Sequence, residues 1–277
     1  MDLLRFNIWL DVAFPLIWEA TAIFLAIHFA LSIVTGRAKK TFIEGKWPQH
    51  DSAPPPLPKF LHAQHMFMMV ILAVTGMYIR FPWFANGRPV MRGLHYFAMI
   101  VVSVTLFWRI WYAFYSKNRD WKEFRIQKKD AVTLGGVLKY YGYLSNNKPH
   151  VAKYNVAQKG SYMLFLVMMV VQMLTGFALL NQPWPVVSVS PRDVLVGWWL
   201  GGVVGSTELA GWYARTVHYI LTWGFIIMVT VHVYLSATVD IPCTLDFFGL
   251  KKLPVKPHAP EPAPTPEPIG VVPASSD

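Results

Sequence analysis

Cysteine is almost absent from this sequence, which contains only Cys243 among its 277 residues. A single thiol excludes a disulfide within the chain, and it excludes zinc or iron–sulfur sites built from several cysteines. It also excludes the Cys-x-x-Cys-His motif that attaches a haem covalently. Any redox chemistry must therefore use a cofactor held by other side chains, for which nine histidines are available.

Charged residues are also scarce, at 14% of the chain, against about 25% in an average soluble domain. Hydrophobic residues make up 54%, and three stretches contain no Asp, Glu, Lys or Arg: Phe60–Ile79, Gly160–Gln182 and Thr216–Val239. Each is close to the roughly 20 residues that a helix needs to cross a bilayer. The sequence also lacks phosphate-binding loops and the common hydrolase and metalloprotease motifs. It therefore predicts an all-α integral membrane protein.

Five membrane spans are predicted, and the first of them contains Pro15 as an interruption. The stretch Val194–Thr207 is apolar and rich in glycine but too short to cross, so we expect an interfacial or re-entrant segment there. The first span is longer than a signal-peptide core and lacks a basic leader and a cleavage site, so it should remain as a helix. The predicted spans are Val12–Thr35, Phe60–Ile79, Leu94–Ser116, Gly160–Gln182 and Thr216–Val239.

The lysines and arginines predict the orientation of the chain. Of these 25 residues, 18 fall between spans one and two, between spans three and four, or in the C-terminal tail, all on one side of the membrane. That side should be cytoplasmic, which places the N-terminus outside and the C-terminus inside a bacterial or archaeal cytoplasmic membrane. The net charge of +10 is then a topology signal, and no nucleic-acid partner is needed to explain it.

Several histidines are predicted to lie in or at the rims of the spans, where an ionisable side chain is costly and is by default a functional candidate. For His28 and His65 a neutral imidazole hydrogen-bonded to a neighbouring helix is the preferred interpretation. These membrane histidines are His28, His62, His65, His95, His218 and His232.

Four of the histidines form two pairs at matching depths. His218 and His232 are 14 residues apart, which places them within about 40° of one helix face and about 21 Å apart along the axis. By the predicted orientation, His95 lies at the outer end of span three and His62 at the inner end of span two. We therefore expect His95 to meet His218 near the outer surface, and His62 to meet His232 near the inner surface.

Two histidine pairs stacked across a helical bundle are what two bis-imidazole haems require. A haem with both axial positions filled carries electrons, because it has no open position for substrate. Zinc is a poorer interpretation, since two histidines at each level fall short of three or four ligands. Arg109 could pair with haem propionates or simply extend to the inner surface. Glycines in or beside the spans could admit a macrocycle or reflect ordinary helix packing: Gly76, Gly93, Gly176 and Gly224.

Several blocks of sequence, in the same order, resemble one family over residues 58–241. The blocks are His62, Val74–Gly76, Arg92–Tyr96, Phe107–Phe114, Leu138–Tyr141, Tyr154–Gln158, Leu174–Phe177, Arg215–His218, His232–Tyr234 and Asp240–Ile241. With them the chain resembles the b-type cytochrome subunit of membrane-bound nickel–iron hydrogenases, within the bacterial cytochrome b561-like family.

The resemblance implies a four-helix dihaem bundle in which the residues matching His62, His95, His218 and His232 bind two haem b groups. It also implies a quinone, menaquinone or ubiquinone, as redox partner, with iron–sulfur and catalytic subunits on the outer side. One extra N-terminal membrane helix departs from the family pattern. The expected organisation is an N-terminal helix and inner loop (1–57), the dihaem core (58–241) and a Pro-rich, disordered cytoplasmic tail (242–277), whose proline-rich part is Pro254–Pro273.

Other functions remain open at this point. Similar cytochromes anchor formate dehydrogenases, thiosulfate reductases and other molybdenum enzymes, and nothing in this chain itself activates hydrogen or formate. A haem-free proton-coupled transporter predicts a binding site at mid-depth instead, and a structural anchor needs no histidine pairs.

On the outer side, Arg80–Arg92 and Pro183–Tyr213 are expected to dock the partner or to form an interfacial aromatic belt, and their relevant aromatics are Trp83, Phe84, Trp198 and Trp199. On the inner side, a quinone site could be lined by His65, Arg109 and Tyr140–Tyr143, although the tyrosines also suit interface anchors.

Overall fold

The computed structural model describes residues 2–50, 52–117, 119–145, 154–183 and 188–255, and this part of the chain contains helices and no strand. Short π or 3₁₀ turns occupy Lys39–Ile43, Asp120–Phe124 and Asp193–Gly197. The helices are α1 (Leu3–Val34), α2 (Pro56–Arg80), α3 (Arg88–Tyr115), α4 (Lys128–Tyr141), α5 (Val156–Ala178), α6 (Leu200–Val204), α7 (Thr207–Val239) and α8 (Ile241–Phe247).

Five of these helices, α1, α2, α3, α5 and α7, are long and apolar enough to cross a membrane. The prediction of an all-α protein with five spans is therefore confirmed, and the chain is a multi-pass membrane protein. Pro15 does not interrupt the first span, because α1 runs through it from Leu3. A membrane helix tolerates the backbone hydrogen bond that proline removes, since neighbouring helices and side chains compensate locally. At its start, the Asp2 carboxylate accepts the backbone N–H of Arg5.

The spans associate as two pairs. Helix α2 packs along α3, and α5 packs along α7, whereas the contacts between the two pairs are much sparser. Helix α1 lies against α7. Side chains of α7 thus reach both the interior between the pairs and the surface that α1 covers.

The segment predicted to be interfacial or re-entrant forms a π turn and the short helix α6 before α7 begins at Thr207. Its Val196 packs with Ala178, Ala210 and Ala214 at the junction of α5 and α7. Helix α7 starts nine residues before the predicted span, because the Ser206 hydroxyl accepts the backbone N–H of Leu209 and caps the helix there. The predicted proline-rich tail lies outside the described residues, apart from its first two positions.

The described part of the loop between α3 and α5 contains helix α4, and a buried ion pair fixes this helix to α5. Lys159 at the start of α5 donates to the Asp130 carboxylate of α4 at 2.9 Å and to the Arg125 carbonyl at 3.2 Å. Both charged side chains are almost inaccessible to solvent. The Asp130 carboxylate also accepts the Gln127 backbone N–H, which caps α4. The start of α4 is thereby fixed to α5, so α4 lies in a defined position beside the spans.

Contacts spaced along α7 hold α1 in place. The Asn7 amide donates to Thr216 Oγ1 at 2.9 Å, and the Phe14 ring stacks on Trp223 with 5.8 Å between centroids. Near the same level, Arg80 of α2 forms a two-pronged ion pair with Asp11, at 2.8 and 2.9 Å from its Nη2. The extra helix is therefore an integral part of the bundle.

We predict that Phe14→Ala lowers the free energy of unfolding in detergent by about 2 kcal/mol, because it removes the stacked pair between α1 and α7. Thermal unfolding followed by circular dichroism measures the change. Ile23→Ala is the matched control, since Ile23 lies on the outward face of the same helix and is 61% exposed. Equal losses in the two variants would contradict the packing of α1 against α7.

Candidate functional site

Four histidines from three spans form two pairs across the interior of the bundle. The ring centroids of His95 and His218 are 6.5 Å apart, and those of His62 and His232 are 6.2 Å apart. Each pair joins a residue of the α2–α3 pair to a residue of α7. The structure thus brings together the four histidines in the two combinations that the depth argument predicts.

The separation within each pair suits one metal ion between two imidazoles. A metal–nitrogen bond of about 2 Å plus about 1.1 Å from nitrogen to ring centre puts two opposed imidazole centres about 6.3 Å apart. The observed distances of 6.5 and 6.2 Å agree with that value. Because only two histidines meet at each level, the remaining ligands would have to come from a planar macrocycle, as they do in a bis-imidazole haem.

A threonine fixes the orientation of the His95 ring. Thr75 Oγ1 lies 2.9 Å from His95 Nδ1, and the same hydroxyl donates its proton to the Ile71 carbonyl at 2.6 Å. The hydroxyl must therefore accept the hydrogen bond from Nδ1–H, which leaves Nε2 unprotonated and able to bind a metal. Such a second hydrogen bond is what normally sets the tautomer of a metal-binding histidine.

The His218 ring is held in the same way from α5. Thr175 Oγ1 lies 3.1 Å from His218 Nδ1 and donates to the Val171 carbonyl at 2.8 Å. The Thr-Gly sequence that α2 provides for His95 is thus repeated in α5 for His218. Gln172 was not identified from the sequence, although a polar side chain within a span is a signal. Its amide nitrogen lies 3.3 Å from His218 Nε2 and donates to Thr222 Oγ1 at 2.9 Å.

Two of the candidate glycines lie directly against these rings. A Cβ atom on Gly76 would lie 3.3 Å from His95 Cε1, and one on Gly176 would lie 3.2 Å from His218 Cε1. Both distances are tighter than ordinary van der Waals contact, so a larger residue would push the ring away from its partner. Gly93 has no such neighbour, and Gly224 faces the flexible Met168 side chain. The residues of the outer pair therefore fit a haem.

The His62–His232 pair, which is predicted to be the inner one, has a more aromatic environment. The His62 ring lies 5.0 Å from the ring of Phe247, and the His232 ring lies 6.2 Å from Phe165. Two residues beyond His62, the amide oxygen and nitrogen of Gln64 are buried and have no hydrogen-bond partner among the described residues. A buried polar group of this kind is costly unless something satisfies it, and a cofactor with polar substituents can do so. The inner pair also fits a haem.

The other polar candidates have protein partners. Arg109 forms an ion pair with Asp120, with Nη2 at 2.8 Å and Nη1 at 3.3 Å from the carboxylate, so its charge is paired at the inner end of α3. His65 Nε2 lies 2.9 Å from Thr105 Oγ1 on α3. His28 contacts Tyr234 and the backbone of Tyr141. His28 and His65 are thus hydrogen-bonded to neighbouring segments, as preferred from the sequence.

Around the inner end of the bundle, further polar contacts tie loops to helices. His50 Nε2 lies 2.8 Å from the Asp240 carboxylate, and Lys59 lies 2.6 Å from that of Asp246. Burial raises the pKa of the Tyr141 phenol, with smaller contributions from Tyr140 and Asp240. Burial also raises the pKa of Tyr154 well above its ordinary value. These tyrosines therefore remain neutral hydrogen-bonding groups at physiological pH.

Comparison with known proteins agrees with this geometry. The chain is 28% identical over 193 residues to a protein of Rhodobacter capsulatus described as a probable Ni/Fe-hydrogenase B-type cytochrome subunit, and the match covers 65% of this chain and 71% of the relative. A sequence model described as prokaryotic cytochrome b561 matches residues 55–242, which contain all four paired histidines. Since that match covers more than half of the sequence, the chain belongs to the prokaryotic cytochrome b561 family of membrane electron-transport proteins.

Proposed function

We propose that this chain is the membrane electron-transfer subunit of a nickel–iron hydrogenase and links it to the quinone pool through two bis-histidine haem b groups. The observation that carries the proposal is the presence of two facing histidine pairs. Their ring centres are 6.5 Å apart for His95 and His218, and 6.2 Å apart for His62 and His232. The name of the Rhodobacter capsulatus relative supports hydrogenase as the partner.

The residues of the chain have distinct roles in this proposal. His95 and His218 bind the outer haem, and His62 and His232 bind the inner one. Thr75 and Thr175 accept Nδ1–H of the two outer ligands and so direct Nε2 towards the iron. Two such haems transfer single electrons and leave no position for substrate. Arg109 has a supporting role at most, because Asp120 already pairs its charge.

The two haem sites together form an electron path across the membrane. Both α7 ligands lie near one face of the helix, about 21 Å apart along its axis, so the two sites are near opposite surfaces. Electrons enter from the partner outside and leave on the cytoplasmic side, where a quinone takes up two electrons and two protons to become a hydroquinone. Because electrons move inward while protons are consumed inside, the reaction separates charge.

The outer loops are the proposed contact with the iron–sulfur and catalytic subunits. Within the described parts of Arg80–Arg92 and Pro183–Tyr213, Trp83, Trp198 and Trp199 are exposed, and Trp198 is the most exposed at 77%. Exposed aromatic side chains of this kind supply contact area at interfaces. The outer histidine pair lies on the same side.

We predict that the purified chain contains two haems and that each α7 histidine holds one of them. His218→Ala should remove the outer haem only, and His232→Ala the inner haem only, since each variant deletes one axial ligand. Pyridine haemochrome assays count the haems, and redox titration identifies the one that remains. His65→Ala is the control and should retain both. A wild-type protein without haem, or loss of a haem in the control, would contradict the assignment.

A second prediction concerns the glycine against His218. Gly176→Leu should remove the outer haem, because the new side chain displaces the ring that Thr175 positions. The haem-to-protein ratio is expected to fall from two to one. Gly160→Leu is the matched control on the same helix, since a Cβ there meets nothing within 4 Å, and it should keep both haems. Retention of both haems by Gly176→Leu would show that haem binding does not require this position of the His218 ring.

A third prediction tests the side on which the partner binds. Trp198→Ala should weaken association with the hydrogenase subunits by roughly 30-fold, the value expected for about 2 kcal/mol from an interface tryptophan. Co-purification and microscale thermophoresis in detergent measure the change. Trp111→Ala is the control, because Trp111 is exposed near the inner end of α3. If only the control weakened association, the partner would bind at the opposite surface.

A further inference from the structure

A cavity of about 270 Å³ opens at the inner end of the bundle, between α1, α7 and the tyrosines at the C-terminal end of α4. It lies apart from the four paired histidines, and the extra N-terminal helix and its loop provide about half of its wall. Of the residues considered for a quinone site, Tyr140, Tyr141 and Tyr143 line this cavity, whereas His65 and Arg109 do not. The side chains that line it include His28, Arg37, Trp47, Tyr140, Tyr143 and Tyr234.

A hydrogen-bonded histidine and tyrosine form one wall. His28 Nε2 lies 3.0 Å from the carbonyl oxygen of Tyr141, which can only accept, so Nε2 carries the proton. His28 Nδ1 is then an acceptor, and the Tyr234 hydroxyl donates to it at 2.5 Å. The Tyr143 hydroxyl donates to the His28 carbonyl at 3.0 Å. These hydrogen bonds fix the His28, Tyr143 and Tyr234 side chains in place as one wall of the cavity.

Arg37 supplies a cation with unused donors. Its Nη1 and Nη2 atoms donate to the carbonyls of Tyr140 and Ser145, at 2.7 and 2.6 Å. These bonds use two of the five N–H donors of a guanidinium and fix its position. The guanidinium carbon also lies 4.3 Å from the ring centre of Tyr140 and 4.5 Å from that of Tyr143. The other N–H groups remain able to bind a carbonyl oxygen.

The cavity lies close to the inner histidine pair. Tyr234 follows His232 by two residues, so their side chains leave α7 about 200° apart. His232 faces His62, and Tyr234 faces α1. One helix, about 10 Å across, thus separates the cavity from the inner haem site. His28 is six residues before the end of α1, which places the cavity near the membrane surface that we propose to be cytoplasmic.

We propose that this cavity binds the head group of a quinone. The inference rests on the proposed function, and it adds the location and the residues of the site. A quinone head group is a small aromatic ring with two carbonyl acceptors on opposite edges. The tyrosine rings and Trp47 provide aromatic walls, Arg37 provides donors to one carbonyl, and the hydrogen-bonded Tyr234–His28 pair lines the opposite wall.

The apolar surroundings favour a quinone over a soluble anion. The one lysine in the lining, Lys46, is neutralised by Glu44 at 2.8 Å, which leaves Arg37 as the principal cation. Phe42 packs on Trp47 with 5.2 Å between centroids, and Phe29 of α1 packs on Phe42. The exposed rings of Phe29 and Phe42 lie at the inner end of α1 and in the loop after it, where an isoprenoid tail can leave the cavity towards lipid.

The test is binding of heptyl-hydroxyquinoline N-oxide, a fluorescent quinone analogue, to the purified full-length haem-loaded protein. Arg37→Gln should weaken binding about tenfold or more because it removes the cationic donors to one carbonyl, and Tyr234→Phe should weaken it similarly because it releases the His28 ring from its fixed position in the wall. Their haem content and spectra should match the wild type. Arg125→Gln and Tyr154→Phe are the matched controls, since both residues lie at the inner side outside the cavity, and they should bind as the wild type does.

The outcomes separate the site from the function. If the wild type binds the analogue and neither cavity variant weakens it, this site is wrong while the quinone link stands. If the wild type does not bind it at all, the quinone link itself fails. Photolabelling of the unaltered protein with an azidoquinone covers the case in which a variant does not fold. Labels within 28–47 or 140–145 would support the site, and labels confined to His65 and Arg109 would overturn it.

Discussion

The distance between two imidazoles on facing helices is the constraint on which this structure depends. Helices α2 and α3 pack closely, as do α5 and α7, but direct contact between the two pairs is sparse. In a bilayer the hydrophobic effect gives helices little reason to associate, so packing and specific polar contacts must hold them. Histidines facing one another at 6.5 and 6.2 Å are such contacts when a shared cofactor binds them. The cofactor would then also join the two halves of the protein.

Helix α7 is central because it serves two surfaces at once. Its His218 and His232 face the bundle interior, whereas Thr216, Trp223 and Tyr234 contact α1. A helix of 33 residues, about 50 Å long, spans the membrane and reaches into the inner interface. The additional N-terminal span therefore extends the core at the face of α7 that His218 and His232 do not occupy. This placement explains how one extra helix can add a binding cavity without altering the histidine pairs.

The sequence alone was sufficient for features that depend on local periodicity. The five spans follow from apolar runs, and the pairing of His95 with His218 and of His62 with His232 follows from depth, because helix rise and alternating direction determine both. The Thr75 and Thr175 hydrogen bonds could not be predicted, since they depend on rotation of one helix against another. The Arg109–Asp120 ion pair likewise required the fold of the inner loop. The prediction that Pro15 interrupts the first span was wrong, because neighbouring helices in a membrane compensate for the backbone hydrogen bond that proline removes.

The cavity beside α7 also could not be predicted from the sequence. Its residues come from three separate stretches, near positions 28–48, 140–143 and 234–239, and none of these stretches has a motif that identifies a ligand. Only when His28 meets Tyr234, and Arg37 stacks on Tyr140 and Tyr143, do donors and aromatic rings face one space. A site used by a mobile redox partner must also be reachable from lipid, which favours the edge of the bundle over its centre. A permanently bound haem would require the opposite, and the four paired histidines accordingly lie between the helix pairs. Helix α7 separates these two environments and, at about 10 Å across, keeps them close.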